Sequence, residues 1–425
     1  MKIRKKLILI TLGATSVMST FVLADESFNN SLPVVVDSTS SSTELTPAAK
    51  FVEALTGFDN ITNGYISQDD FNTGKALFEK RKSVGDGLGP FYNAESCSDC
   101  HQGPVTGAGS QVSVLRAGSF NDGVFTPPPG GGSLVTDRTI DANLQVHIDD
   151  SLNVRTLRMS TNALGDGFVE AIADQTLLDI AASQAATRGA IKGQAILVPI
   201  LEAPGKTRVG RFGTKDQHAS LLSFSGDASR NELGITNALV STESTPNGVD
   251  GSQFDAVAEP EDIDSSFINS IADFMRATKA PEPDHDLANT PDAIAGEALF
   301  DKVGCDSCHV ETITTAPTGT VLSPTFKVPE ALGNKIIHPF SDFLLHDVGT
   351  NDGIVQNGGA ETRNKVRTSP LWGLRTHTRL LHDGSALTLD EAIRAHSGEA
   401  SQVVKKYKAL SDNDEAKLLS FLKSL

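Results

Sequence analysis

The sequence predicts a mainly α fold in two related halves, the first carrying a long insertion with short β-strands. Three observations support this. The runs Gly74-Lys-Ala-Leu-Phe78-Glu-Lys80 and Gly296-Glu-Ala-Leu-Phe300-Asp-Lys302 repeat one short amphipathic helix. Each copy is followed by a Cys-x-x-Cys-His run, Cys97-Ser-Asp-Cys100-His101 and Cys305-Asp-Ser-Cys308-His309. Between the copies, residues 102–265 hold β-branched segments with partial alternation, the pattern of short strands.

The elements follow in order. Lys2, Arg4, Lys5 and Lys6 precede an apolar run that ends at Val22-Leu-Ala24, so residues 1–24 read as a cleavable secretory signal. Residues 25–47, rich in Ser, Thr and Asp, read as a flexible leader. The first half spans 48–280 and the second 281–425, joined through "PEPDHDLANTPD". A glycine-rich insertion of 16 residues, Arg81–Ser96, separates the first helix from its cysteines, where the second copy has only Val303-Gly304. In the long insertion "QVSVLRAG", "NLQVHIDD", "NVRTLRMS" and "QAILVPILE" read as strands, and "FTPPPGGGS" as a loop. "DSSFINSIADFMRATKA" is an amphipathic helix. Near the C-terminus Thr388-Leu-Asp-Glu391 is a capping box, and Ala416, Leu419 and Leu422 give the last helix an apolar stripe.

Hydrophobic residues make up 39% of the 425, enough for a substantial core, and no stretch after the signal approaches the ~20 apolar residues of a membrane span. A net charge of −17 disfavours nucleic acid and anionic membranes, and it becomes more negative once the basic leader is removed. Such a surface attracts basic redox partners, and it also serves simply to keep an exported chain in solution.

The four cysteines all lie in the two Cys-x-x-Cys-His runs. Covalent haem attachment needs two thiols about one turn apart, each adding to a vinyl group, and a histidine placed at once to reach the iron. Zinc from paired thiols, a thioredoxin-like redox pair and plain disulfides are the rivals. Export, the repeat, the absence of a spare cysteine and a histidine after each pair favour two attached haems, each half then being cytochrome c-like. Cys97, Cys100, Cys305 and Cys308 would carry the thioethers, and His101 and His309 would ligate iron.

"GLGPFYNAESCSDCHQGP", "GRFGTK" (210–215), "LGITN" (233–237), "IHPFSDFLLHDVG" (337–349), "RTSPLWGL" (367–374) and "LLHDGSALTLDEAIRAHSGEA" (380–400) closely resemble the di-haem oxidoreductase family, also called thiol oxidoreductases. The last third is also similar to bacterial di-haem cytochrome c peroxidases. The resemblance implies one haem for electron entry and one for peroxide chemistry. It puts His396 where those peroxidases have a methionine, which would make His309 and His396 the ligands of the second iron. It implies Glu170 as the proton-transferring carboxylate at the first iron, with Arg211 and Lys215 neutralising propionates or polarising peroxide. Arg367 and Arg375 suit haem propionates, because a guanidinium matches a carboxylate as a two-pronged donor. His382 and His346, each followed by Asp, either bond a propionate or fix a turn. Trp372 reads as a core aromatic beside the second haem. Met159, Met275, His147 and His218 are lesser candidates for a sixth ligand at the first iron, which reads as open. Thr214, Leu233 and Val348 depart from the Trp, Met and Met usual in such relatives. Calcium accompanies some relatives, without a clear ligand cluster here.

The expectation is therefore an exported, periplasmic di-haem c peroxidase-like oxidoreductase. A small c-type cytochrome or another redox protein would reduce the His309 haem, and hydrogen peroxide would react at the His101 haem. Two rivals stand beside it: a di-haem oxidase or oxygenase acting on another substrate or a protein partner, and a two-haem electron carrier with no chemistry of its own.

Overall fold

The computed structural model describes residues 50–187 and 189–425, so the signal and leader expected at 1–47 lie outside the described residues. Residues 49–425 cluster as one compact unit. The described residues are 34% helical and 15% strand, the strands being spread over several small sheets. No helix among the described residues is long and apolar enough to cross a membrane.

The two repeated helices form where expected, and the glycine of each has a packing job. In the first, Gln68–Glu79, the Ser67 hydroxyl accepts the Asp70 N–H and so caps the start. Phe71, Gly74 and Phe78 face inward onto the Ser266–Ala277 helix, with Phe274 5.1 Å from Phe71 and 5.0 Å from Phe78 by ring centres. A Cβ on Gly74 would lie 3.0 Å from the Phe274 Cβ, so glycine lets the helices close. In the second, Pro291–Val303, Thr290 caps and Pro291 occupies the first turn, where its missing N–H costs nothing. Gly296 backs onto the Asp412–Ser424 helix, where any side chain would strike the Lys417 carbonyl. The sequence repeat is thus a repeat of one helix-crossing device.

The insertion folds as an antiparallel sheet of Val124–Thr126, Ser113–Asn121 and Val154–Met159, with Ser113 opposite Met159 and Gly118 opposite Val154. The expected strand at "NLQVHIDD" is absent. Asp141 accepts the Asn143 N–H and Asp149 the Ser151 N–H, and these turns compete with a ladder. "QAILVPILE" contributes only Leu197–Pro199, paired with Thr207–Val209. Within the expected linker, Asp284 caps a single helical turn, His285–Ala288.

Two cores result. The larger takes Phe71, Phe78, Phe168 and Phe274 from the first half and Ile313, Phe326, Phe343 and Trp372 from the second. The smaller gathers Leu299, Phe300, Phe340, Tyr407, Leu418 and Phe421. The halves interlock further, because Val52–Glu53 pairs in parallel with Lys335–Ile337.

Candidate functional site

Each Cys-x-x-Cys-His run folds as one tight turn. Cys97–Asp99 and Cys305–Ser307 are 3-10 turns, and the His101 and His309 N–H groups both donate to the carbonyl of the first cysteine at 3.0 Å. Thiols and imidazole are thereby presented together. Cys97 packs against the larger core and Cys305 against the smaller, so the four thiols do not converge on one zinc. Burial pushes Cys97 and Cys305 up to about 12 and Cys100 up to about 11. They are neutral thiols rather than metal-ready thiolates.

A cleft opens beside the first motif. It encloses about 1150 Å³, counting the part open to solvent. Cys97, Cys100 and His101 form part of its wall. The Leu221–Leu233 helix contributes Phe224, Ser225, Ala228, Ser229 and Glu232, and the Ser266–Ala277 helix contributes Phe267, Ile271 and Met275. The first of these helices is held by the Ser220 cap and ends at Gly234, φ 67, against which Gly89 of "GLGPF" packs backbone to backbone. Arg116, Arg158 and Met159 come from the sheet, and Gly213, Thr214 and Gln217 from the "GRFGTK" loop.

The charged groups of the cleft are incompletely partnered. His101 Nδ1 is buried with no hydrogen-bond partner, and burial lowers the imidazole so that it is neutral. Arg116 Nε is likewise orphaned, and burial followed by its neighbour Arg158 pushes it down to about 10. Arg158 is pinned, donating to Asp352 at 2.8 and 2.7 Å and to Gln356 at 2.6 Å. Glu232 takes one hydrogen bond from Asn93 at 3.0 Å, and burial raises its carboxyl. A haem held by Cys97 and Cys100 would fit these groups: a neutral imidazole for the iron, a guanidinium with a free Nε for a propionate and apolar helix faces for the ring.

The second motif is built differently. His309 Nδ1 lies 3.0 Å from the Phe340 carbonyl and His396 Nδ1 2.6 Å from that of Ala392, which leaves both Nε2 atoms free. Burial pulls His309 down to about 4 and also lowers His396, and a charge on His396 is felt at His309. Both are neutral imidazoles, a form in which Nε2 can serve as a ligand. Phe300 lies 6.3 Å from the His309 ring, and Phe340 and Phe421 pack edge-on to Phe300. Behind Cys308, His346 is clamped between Asp342 and Glu399, each at 2.8 Å. Burial opposes its charge, yet Asp342, Cys308 and Glu399 hold it up at about 12. Among the described residues, Cys308, Asp342 and His346 are the one group of metal-type ligands drawn close together, and Cys308 belongs to the second Cys-x-x-Cys-His run.

Several expected site residues lie elsewhere. Glu170 is outside the cleft lining, fully buried, bound by Arg276 at 2.7 and 3.0 Å and accepting the Leu221 N–H at 2.9 Å. Arg211 is occupied by Asp174 and the Ile172 and Val209 carbonyls. Lys215 points away from the cleft, donating to the Thr362 carbonyl at 2.7 Å and lying 3.4 Å from Asp352. Arg367 donates to the Gly213 carbonyl at 2.9 Å and Arg375 to the Glu282 carbonyl at 3.0 Å. His382 is buried beside Asp352, at 3.8 Å, with both ring nitrogens unpartnered. Met159, Met275, Thr214 and Leu233 all line the cleft. His218 is paired with Asp227 at 3.0 Å, and His147 is exposed in a separate groove. Trp372 belongs to the larger core, while its neighbours Leu371 and Leu374 pack on the smaller. Arg116, Arg158 and Glu232 are the cleft groups that sequence reading missed. Glu232 adjoins the quoted "LGITN", and Arg158 lies inside the strand-like "NVRTLRMS".

Comparison with curated proteins gives no match. Among solved structures the chain is similar to hydrazine synthase from Kuenenia stuttgartiensis, at 15% identity over 93% of this chain and 100% of that one, TM-score 0.39. It is similar to a MauG-like protein associated with microbial copper homeostasis at 16% identity over 89% and 94%, TM-score 0.39. The diheme peroxidase BthA from Burkholderia thailandensis matches at 13% identity over 73% and 94%, TM-score 0.30. Likenesses of this size carry no argument about chemistry. The family model described as "Di-haem oxidoreductase, putative peroxidase" matches residues 136–425, which takes in the second Cys-x-x-Cys-His run and begins after the first. With more than half of its length matched, the chain belongs to the di-haem oxidoreductase family.

Proposed function

We propose that this chain is an exported di-haem c-type peroxidase, reducing hydrogen peroxide in the first cleft with electrons that enter at the second motif. The observation that carries the reading is the asymmetry of the two sites. His309 lies within electrostatic reach of a second imidazole, His396, each with its Nε2 free, whereas His101 lines a cleft with a guanidinium whose Nε has no partner and a protonatable carboxyl. A site with two imidazoles suits electron storage, and a site with one leaves room for a small oxidant.

In this reading Cys97 and Cys100 hold one haem and Cys305 and Cys308 the other, and the bound haems supply the redox chemistry. The rest is the work of side chains. Arg116 meets a propionate that would otherwise be an unpaired buried charge, and Arg158, fixed by Asp352, supports it. Glu232 is the acid/base: its raised carboxyl accepts a proton from the incoming peroxide and returns it to the departing oxygen. This assignment replaces Glu170, which Arg276 holds as a structural ion pair. The full reaction consumes one peroxide, two electrons and two protons and yields two waters. The donor is a small c-type cytochrome or a similar redox protein. Purified haem-loaded protein, given peroxide and a reduced c-type donor, should oxidise the donor well above the rate with free haem. No excess rate sinks the peroxidase reading, and donor oxidation under oxygen without peroxide would favour an oxidase instead.

A further inference from the structure

The loop between Phe212 and His218 has two faces. The two residues pair across its neck, and Gly213, Thr214 and Gln217 line the first cleft. Lys215 and Asp216 turn the other way, into the interior. Asp216 has φ 51, a left-handed conformation that Asp tolerates better than most residues, and it is 1% exposed. Neither of its carboxylate oxygens has a hydrogen-bond partner. Its nearest counter-charge is Arg367, whose Nε lies 3.7 Å from Oδ1 and already donates to the Gly213 carbonyl.

Arg367 ties this carboxyl to both candidate haem sites. Its N–H donates to the carbonyl of Thr214, a cleft residue, at 2.8 Å. Its strand, Val366–Arg367, pairs antiparallel with Leu345–His346. The His346 ring in turn lies 3.8 Å from the Cys308 sulfur. Asp216 therefore sits behind the loop that walls one site and a single strand pair away from the other.

We propose that Asp216 is a proton-binding site of the reaction, taking up one proton as one electron reaches the flanking haem sites and releasing it as the electron leaves. The proposal rests on the two-haem reading above. A buried carboxylate without hydrogen bonds is costly, and an added electron nearby makes it costlier. Uptake of one proton converts the carboxylate to a neutral acid and cancels the charge that an external one-electron donor brings. The groups facing it are divided: Arg367, Arg211 and His346 favour the carboxylate, Asp342 opposes it, and Lys215 adjoins it in the chain. Burial is the largest influence and lifts the carboxyl well above its ordinary range. A proton stored with each electron would serve a reaction that consumes the two in equal number.

The test is a potentiometric titration of the haem-loaded protein at several pH values, after its haem content is counted by pyridine haemochrome. Fewer than two haems overturns the two-haem reading and, with it, this proposal's premise. With two haems, the midpoint potentials of the unmodified protein should fall with pH. The limit is a tenfold change in the reduced-to-oxidised ratio per pH unit, ~59 mV for a one-electron couple. Asp216→Asn should flatten that slope while leaving haem content and the oxidised spectrum unchanged. An unmodified protein with pH-independent potentials, or a variant with the original slope, overturns the proposal. Should the variant fail to fold, the reduced-minus-oxidised infrared spectrum of the unmodified protein decides. A carboxylic-acid carbonyl band that shifts on isotopic labelling of aspartate supports the site, and its absence refutes it.

Discussion

Glutamine substitutions at Glu170 and Glu232 should separate two carboxylates with opposite jobs. Glu170 is fully buried and takes three hydrogen bonds, two from Arg276 at 2.7 and 3.0 Å and one from the Leu221 N–H at 2.9 Å. Glutamine can still accept one of them, but it cannot neutralise Arg276, whose side chain is only 9% exposed. Breaking a buried ion pair costs about 3–5 kcal/mol, and because Arg276 keeps Asp273, at 3.1 Å, that range is the upper bound. In a unit of this size 1 kcal/mol shifts the melting temperature by only ~1.3 °C, so the fall should be no more than about 4–6 °C. The Leu221–Leu233 helix, whose first residue donates to Glu170, should loosen first.

Glu232 has a single hydrogen bond, from Asn93, so Glu232→Gln should cost no more than about 1.5 kcal/mol of stability. Its expected loss is in rate. General acid/base groups contribute about 10²–10⁴-fold, which is about 2.7–5.4 kcal/mol in the barrier. Because burial raises Glu232, the pH–rate limb it controls should lie above the ordinary carboxylate range and vanish in the variant. Thermal unfolding and steady-state peroxide turnover on both haem-loaded variants read the two effects. If the Glu170 variant melts normally and is inactive while the Glu232 variant is fully active, the assignment is reversed and the cleft argument fails.

Three other perturbations follow from the geometry. Asp352→Ala strands Arg158, which is bound through two nitrogens, and Lys215 3.4 Å away; it should cost about 3–5 kcal/mol in urea unfolding, and a loss under about 1 kcal/mol would contradict the buried cluster. Asp166 is raised by burial to about 7, so the folded chain holds a proton that the unfolded chain gives up near pH 4. Stability should fall as pH rises from about 4 to 7 and stay low above that; Asp166→Asn removes the slope, and a variant equally changed at pH 5 and pH 8 would refute this. His396→Met replaces a nitrogen ligand by a thioether, which favours reduced iron, so one of the two midpoint potentials should rise and the other stay. Two unmoved potentials would remove His396 from the iron.

What the sequence made legible was whatever is local. The repeated helices, the capping box at Thr388 and the Cys-x-x-Cys-His turns depend on neighbours within a few positions, and each forms as read. His396 was singled out by the resemblance to di-haem peroxidases, and the structure adds that it closes that capped helix with its Nδ1 on the Ala392 carbonyl. The cleft chemistry was not legible, because it depends on distant pairs. Glu170 and Glu232 look alike in sequence, and only the fold brings Arg276 to one, 106 positions away, and Asn93 to the other, 139 away. The "NLQVHIDD" segment failed as a strand because two aspartates offered their neighbours' N–H groups a nearer acceptor.

The "GRFGTK" loop shows why conserving a motif's spelling does not locate its chemistry. Arg211 and Lys215 are its charged residues and look like catalytic groups, yet both are consumed by carbonyls and carboxylates of the interior. What the loop gives the cleft is Gly213, Thr214 and Gln217, which are neutral. Its cations act as an anchor: Lys215 fastens the 362–365 turn, and that turn leads into the Val366–Arg367 strand, which bonds back to Thr214. Pulling on the loop therefore pulls on the strand pair that carries His346 to Cys308. A substitution at Lys215 should thus disturb both candidate haem environments together, whereas one at Thr214 should disturb the first alone. Spectra of each haem in Lys215→Met and Thr214→Ala would separate a residue that shapes a wall from one that holds two sites in register.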